Sequence, residues 1–292
     1  AVDLILNGNL KIQRADTLAL RGFNKSSTGT LQINSTNNAN SYTTMNIQVG
    51  TVRIAGDGSL GNSDVLIGTN ANTGTLDYFG SGETINNQIR VGDNTAGATR
   101  TGGATIMNSG SGTVTFSSGT FNQVHNAANA TRTLTLTGTS GIAISGAIVD
   151  NDTADGATVS LAKTGTNIVS LNGDNTYTGN TTVSAGTLNI NGTNVSEITV
   201  ASGAALGGEG STSGNLIYSG TAYSMDVDGS TAAALGSSGT GSTDVSAVNV
   251  SGFNINITTG GSGTFDVLTY GSGGLIGALD RFSLGTTPTA SA

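Results

Sequence analysis

The feature that most constrains this chain is a strand opening that keeps recurring. Glycine, threonine and an apolar residue follow one another at Gly29-Thr30-Leu31, Gly50-Thr51-Val52, Gly74-Thr75-Leu76, Gly112-Thr113-Val114 and Gly186-Thr187-Leu188. Arg132-Thr133-Leu134 and Ala157-Thr158-Val159 are variants of it. Each opens an alternating run, such as Leu31 and Ile33, Val52 and Ile54, or Leu188 and Ile190. Alternation of apolar and polar residues is the period of a β-strand. The openings recur at a loose period of about 20 to 30 residues, the range of stacked repeat architectures. Second strands lie between them, as at Val65-Leu66-Ile67-Gly68 and Gln88-Ile89-Arg90-Val91-Gly92. Turns of Gly, Asn and Ser follow almost every strand and suit corners, because these residues tolerate left-handed backbone or bond their own turn.

A chain with 46 glycines, one proline (Pro288) and no cysteine or tryptophan invites comparison with disordered polymers. Disorder needs low hydrophobicity and high net charge. Here hydrophobic residues make up 35% and charged residues only 10% of the 292 positions. Such a chain can bury a thin core built from many short strands. A helical reading fails, because glycine interrupts nearly every window and the Ala232–Ala234 cluster is too short. An antiparallel sandwich would need evenly spaced two-residue hairpin turns. Two or three short strands per repeated opening fit one coil of a β-solenoid better, with equivalent strands of successive coils stacked in parallel. The expectation is an all-β chain: one elongated β-solenoid over 1–292, with about twelve coils and a turn-like tail at 285–292. Leu31, Val52, Leu76, Leu134, Val159 and Leu188 should point into one continuous core, and Asn and Thr ladders should line the corners.

One segment carries more. Residues 171–190 read Leu-Asn-Gly-Asp-Asn-Thr-Tyr-Thr-Gly-Asn-Thr-Thr-Val-Ser-Ala-Gly-Thr-Leu-Asn-Ile, and Ile198-Thr199-Val200 through Gly210 follow. The ordered elements Asn175-Thr176-Tyr177-Thr178-Gly179, Thr181-Thr182-Val183 and Ala185-Gly186-Thr187-Leu188 make 171–214 resemble the passenger-associated β-strand repeat of bacterial autotransporters. Phe265 to Leu279 resembles the strands that close such passengers. The resemblance implies a right-handed parallel β-helix outside a Gram-negative-type cell. It implies no catalytic residue, since the repeat is scaffold. The membrane β-barrel that accompanies such passengers is not in this sequence.

Chemistry is sparse. The net charge of −8 and the scattered Lys and Arg argue against nucleic acid. No apolar run approaches the roughly 20 residues of a membrane helix. Ala1 begins an alternating run rather than a signal peptide, so an exported protein would be represented by its mature form or a segment. Without cysteine there is no disulfide framework or thiolate site. His125, the single histidine, has no nucleophile context around it and reads as a loop residue. Asp150-Asn151-Asp152-Thr153-Ala154-Asp155-Gly156 fails the calcium-loop pattern, with Ala154 at the fifth position and Leu161 at the twelfth. It reads as a solvated turn, and Gly260 to Asp266 reads as a flexible one. A polysaccharide-cleaving groove would need converging acids and bases. Asp57, Asp64 and Asp77 with Arg53 and Arg90 are the candidates, and scattered solubilising charge is the plainer reading. Tyr42, Tyr78 and Phe79 could touch a glycan, but core or corner roles suit them better.

The expected function is therefore an extracellular structural β-solenoid, a surface stalk or fibre that self-associates end to end or continues in a longer chain. No catalysis, cofactor or metal is expected. A glycan-binding adhesin and a polysaccharide-degrading β-helix enzyme are the alternatives.

Overall fold

In the computed structural model the described residues are 3–7, 22–35, 42–92 except 62 and 70, 102–118, 120–123, 131–150 and 157–219. Further along, the backbone of the strands Tyr223–Val227, Gly236–Ser237, Thr243–Asp244, Phe253–Ile257, Leu275–Ile276 and Phe282–Leu284 is described. Ala232–Ala234, the 260–266 turn and the 285–292 tail lie outside the described residues.

Every strand pairing described is parallel, which excludes the antiparallel sandwich. Twelve strands stack into one long sheet, from Leu4–Leu6 to Leu275–Ile276. Nine form a second sheet, six a third, and three a short fourth. A typical coil visits them in turn. Ala104–Asn108 lies in the long sheet, Val114–Phe116 in the second and Thr120–Gln123 in the third; Thr131–Gly138, Ile142–Ile144 and Ala147–Val149 repeat the circuit one layer on. The chain is a parallel β-helix. At about 4.8 Å per layer, twelve layers extend about 50 Å along the axis.

The core follows from alternation. One inward column of the long sheet runs Leu31, Val52, Leu76, Ile106, Leu136, Lys163, Val183, Val200, Tyr218. All six residues expected in the core are buried, none more than 4% exposed, and they belong to one cluster. No coil could exclude water alone. Stacking removes each Val, Leu or Ile from solvent, worth about 1.5 to 3 kcal/mol apiece.

The recurring opening divides between two faces. Gly29, Gly50 and Gly74 with their threonines stack on the long sheet, whereas Gly112-Thr113-Val114 and Gly186-Thr187-Leu188 enter the second sheet. The motif marks a corner leading into a strand, not one fixed position in the coil. The true coil length varies from 17 residues (Val183 to Val200) to 32 (Asp244 to Ile276). Asparagine ladders do form: Asn34 Nδ2 donates to Asn7 Oδ1 at 2.7 Å, Asn46 to Asn24 at 2.7 Å and Asn191 to Asn172 at 2.8 Å.

The second sheet begins and the third ends inside the solenoid, and the chain covers those two edges itself. The second sheet starts at Glu83–Ile85; on the preceding layer the 3-10 turn Asp57–Ser59 packs against that strand. The third sheet ends at Ala147–Val149. There Ile148 N–H donates to Asn175 Oδ1 (2.9 Å), and Ile148 O accepts from Thr176 N–H (3.0 Å) and Tyr177 N–H (3.3 Å). Asn175 then bridges to Asn194, whose strand Thr193–Asn194 starts the short sheet. An open edge is a template for unwanted pairing; hydrogen bonds of Asn175, Thr176 and Tyr177 take up the edge of the third sheet, and the 3-10 turn packs over that of the second.

Candidate functional site

The candidate charges of a cleaving groove, for which scattered charge is the plainer reading, come together only in part. Arg53 and Asp77 are register neighbours on the outside of the long sheet, and Arg53 Nε lies 2.7 Å from Asp77 Oδ2. Asp77 is 2% exposed, and its Oδ1 accepts from Ser109 Oγ at 2.7 Å. Arg53 also donates to Gln32 (3.1 Å) and Ser109 (3.2 Å), and its guanidinium lies 4.7 Å from the centre of the Phe79 ring. This cluster ties four layers together and commits its acceptors. Asp64 and Arg90 pair at 3.1 Å on the third sheet. Tyr42 and Tyr78 are core residues, 4% and 1% exposed, with hydroxyls bonded to Ser59 O and Gly82 N–H.

Asp57 and Asp64 meet at the corner between the second and third sheets. They line a cavity of about 400 Å³ with Gly61, Ser63, Asn86, Asn87 and Gln88. The 3-10 turn presents Asp57 here. Its N–H donates to Glu83 Oε1 of the next layer (2.5 Å), and Asp57 Oδ1 accepts from Asn86 N–H (3.3 Å). Burial, and then the Asp57 charge, hold the Glu83 carboxyl above its ordinary value, against the pull of that N–H. A Cβ on Gly56 would come 2.4 Å from Glu83 Oε1, so a larger residue there would push the Glu83 carboxylate aside. Asn87, 7% exposed, donates through Nδ2 to Gly61 O and Ser63 O, both at 2.8 Å, and its Oδ1 has no partner.

Three buried cations went unnoticed in the sequence. Lys163 and Arg132 are 0% exposed, and Lys25 is 8% exposed. Lys163 occupies an apolar column, and its ammonium donates to Thr164 O, Gly165 O and Ala185 O at 2.8 to 3.0 Å. Burial pushes its pKa down to about 8. Lys25 repeats the device: its ammonium donates to Ser27 O, and to Val49 O at 3.3 Å. In both cases a left-handed glycine of the next layer leaves the room. A Cβ on Gly50 (φ 74°) or Gly186 (φ 65°) would lie 2.8 or 2.7 Å from the ammonium nitrogen. Arg132 donates to Gly102 O one layer back and to Thr69 O two layers back. The signal was present: Arg132-Leu134-Leu136 and Val159-Leu161-Lys163 put each cation on the inward phase of its strand.

The same reading explains the ordered motif at 175–188. Asn175 joins two sheets. Tyr177, fully buried, shares a 2.6 Å hydrogen bond with Thr181, which shares another of 2.7 Å with Ser196. Burial raises the Tyr177 pKa. Gly179 lets the backbone approach Val159 O, and Gly186 makes room for Lys163. These residues, from Lys163 to Leu188, serve packing and closure.

Residues 161–190 match the family model for the passenger-associated-transport-repeat. The chain thus carries an autotransporter passenger repeat, as the motif at 171–190 led us to expect. Such a repeat implies a secreted or surface location. Neither the curated proteins nor the solved structures yielded a match.

His125, Asp152 and Asp155 lie outside the described residues. Asp150 is described, and its carboxylate accepts from Val159 N–H (2.6 Å), Thr178 N–H (2.9 Å) and Thr178 Oγ1 (2.7 Å), holding the passenger motif to the preceding layer. Among the described residues no group of three or more His, Asp or Glu side chains could hold a metal ion, and no helix is long and apolar enough to cross a membrane.

Proposed function

We propose that the chain is a structural segment of an extracellular stalk or fibre, extended by stacking further coils on its ends, and that it catalyses nothing. The observation that supports this reading is the contrast between internal and terminal edges. Where the second sheet begins and the third ends inside the solenoid, the chain covers them with Asp57–Ser59 and Asn175. In the first strand, Leu4 stands in register with the buried Leu31 yet is 56% exposed, and Ile5 is 49% exposed. A heterologous contact between solenoid ends that does not close on itself generates a filament. The occupant is either more of the same polypeptide or a second copy. The carboxylates favour a scaffold too, because Asp77, Asp64 and Asp150 are engaged by neighbouring layers.

Electron microscopy and sedimentation of the purified 292-residue protein test the reading. Fibres with a repeat near the strand spacing along their axis are expected, and Leu4→Lys should shorten them. A stable monomer at high concentration would remove self-assembly as the mode of extension.

A further inference from the structure

Three asparagines of this chain are followed by glycine: Asn7, Asn172 and Asn191. The amide carbon of an asparagine can be attacked by the backbone nitrogen of the next residue, and glycine hinders that attack least because it has no side chain. Stacking puts the glycine there. A Cβ on Gly173 would lie 2.5 Å from Gly146 O, and one on Gly192 closer still to Gly173 O, so successive corners leave no room for a side chain. The asparagines before them, Asn172 and Asn191, are exposed to water.

The two described pairs differ around the reacting atoms. Asn191 Nδ2 donates to Asn172 Oδ1 at 2.8 Å, so the Asn172 amide carbonyl is polarised from the next layer. The Gly173 N–H makes no hydrogen bond among the described residues, although Asn172 N–H is anchored on Ile144 O at 2.8 Å. One layer on, both conditions reverse. No donor reaches Asn191 Oδ1 among the described residues, and Gly192 N–H is bonded to Leu171 O at 3.3 Å. Asn7 Oδ1 also accepts from Asn34, but Gly8 lies outside the described residues. The donor on Asn172 Oδ1 matters most after attack. Negative charge then collects on that oxygen, and a hydrogen bond already aimed at it stabilises the charge.

We propose that Asn172 is a site of spontaneous, fold-directed deamidation, with Gly173 N as the nucleophile and the Asn191 amide as the donor to the oxyanion. The N–Cγ bond forms and the Cγ–Nδ2 bond breaks. The Gly173 proton passes through solvent water to the leaving nitrogen, which departs as ammonia. The succinimide so formed takes up one water. Opening at Cγ leaves an aspartate at 172, and opening at the main-chain carbonyl leaves an isoaspartyl link with one more carbon in the backbone. That carbon falls just before Asn175, in a corner packed against Gly146 and Gly192. The modification therefore loosens the layer that covers the edge of the third sheet, however the ends of the solenoid are extended.

The full chain, kept in mildly alkaline buffer and sampled over weeks, provides the test. Chymotryptic peptide mapping by mass spectrometry reads the gain of one mass unit and the isoaspartyl link at each asparagine. In the folded protein Asn172 should convert at least about fivefold faster than Asn191, the kinetic equivalent of one ordinary hydrogen bond. In urea, where both are Asn-Gly pairs in an open chain, the rates should converge. Asn191→Ala should slow conversion at 172 about fivefold in the folded chain and leave it unchanged in urea. Asn172→Gln, which would have to close a six-membered ring, should abolish conversion there and keep the parent melting temperature. Three results would each overturn the assignment: Asn191 reacting as fast as Asn172 in the folded chain, conversion at 172 confined to the urea sample, or a folded-state rate indifferent to Asn191→Ala.

Discussion

Lys163 stands between Leu136 and Val183 in an otherwise apolar column, and its environment sets a pH dependence. Burial lowers its pKa from 10.5 to about 8. Between those values the unfolded chain keeps a proton that the folded chain has released, so stability rises with pH. Tyr42, Tyr78 and Tyr177 act in the opposite sense. Their pKa values are raised by burial, so above pH 10 the unfolded chain loses phenolic protons that the folded chain retains, and stability falls. Urea unfolding across pH 7 to 11 is expected to show a rise from about pH 8 and a turnover near pH 10; Lys163→Met should reduce the rise, leaving the part due to Lys25, whose pKa burial also lowers. A flat profile in the parent protein would contradict the burial argument. His125 and Asp152 stand at the other extreme. The sequence surrounds neither with a catalytic constellation, so His125→Ala and Asp152→Ala should leave melting temperature and fibre formation near wild type. Polysaccharide or ester cleavage by the parent protein that either change abolished would refute the non-enzymatic reading.

Among the elements, the junction at Asn175 decides how one sheet hands over to the next. Its side chain supplies the acceptor that a strand would have offered to Ile148 N–H, while Nδ2 reaches Gly173 O and Thr193 O. Asn175→Ala leaves that buried N–H without a partner and should cost about 2 to 3 kcal/mol. Asn175→Asp keeps an acceptor for Ile148 N–H but loses the two donors, so it should fall between Ala and wild type in denaturant titrations. Equal stability of all three proteins would mean that the edge is closed by Thr176 and Tyr177 alone. The 3-10 turn Asp57–Ser59 has the matching task at the other internal edge.

For the molecule as a whole, stability is distributed along the axis, since the layers touch mainly their immediate neighbours, with Arg53 and Arg132 each reaching one layer further. Leu188 belongs to the second sheet, between Val169 and Leu206, and is 0% exposed. Leu188→Asp places an unpaired carboxylate in that column and should cost more than about 4 kcal/mol. The loss should appear first as increased amide hydrogen exchange in the layers holding Val169 and Leu206. Exchange unchanged from wild type there would show that the column tolerates water.

Alternation in the sequence by itself determined the strands, the inward residues and the parallel stacking, because a side-chain period of two and the absence of hairpin turns leave little choice. It also determined the passenger-type motif, whose residues are local to one coil and the next. What it could not contain was which face each opening entered: coils of 17 to 32 residues shift the corner while keeping the strands in register. Only the tertiary structure decided that Arg53 meets Asp77 and Arg90 meets Asp64, on different faces. It alone gathered the carbonyls of Thr164, Gly165 and Ala185, from two layers, around the inward Lys163 ammonium, and brought Asp57 beside Asn87. These pairings join residues about 20 to 30 positions apart, and the distance between them is set by stacking across layers, which no local pattern encodes.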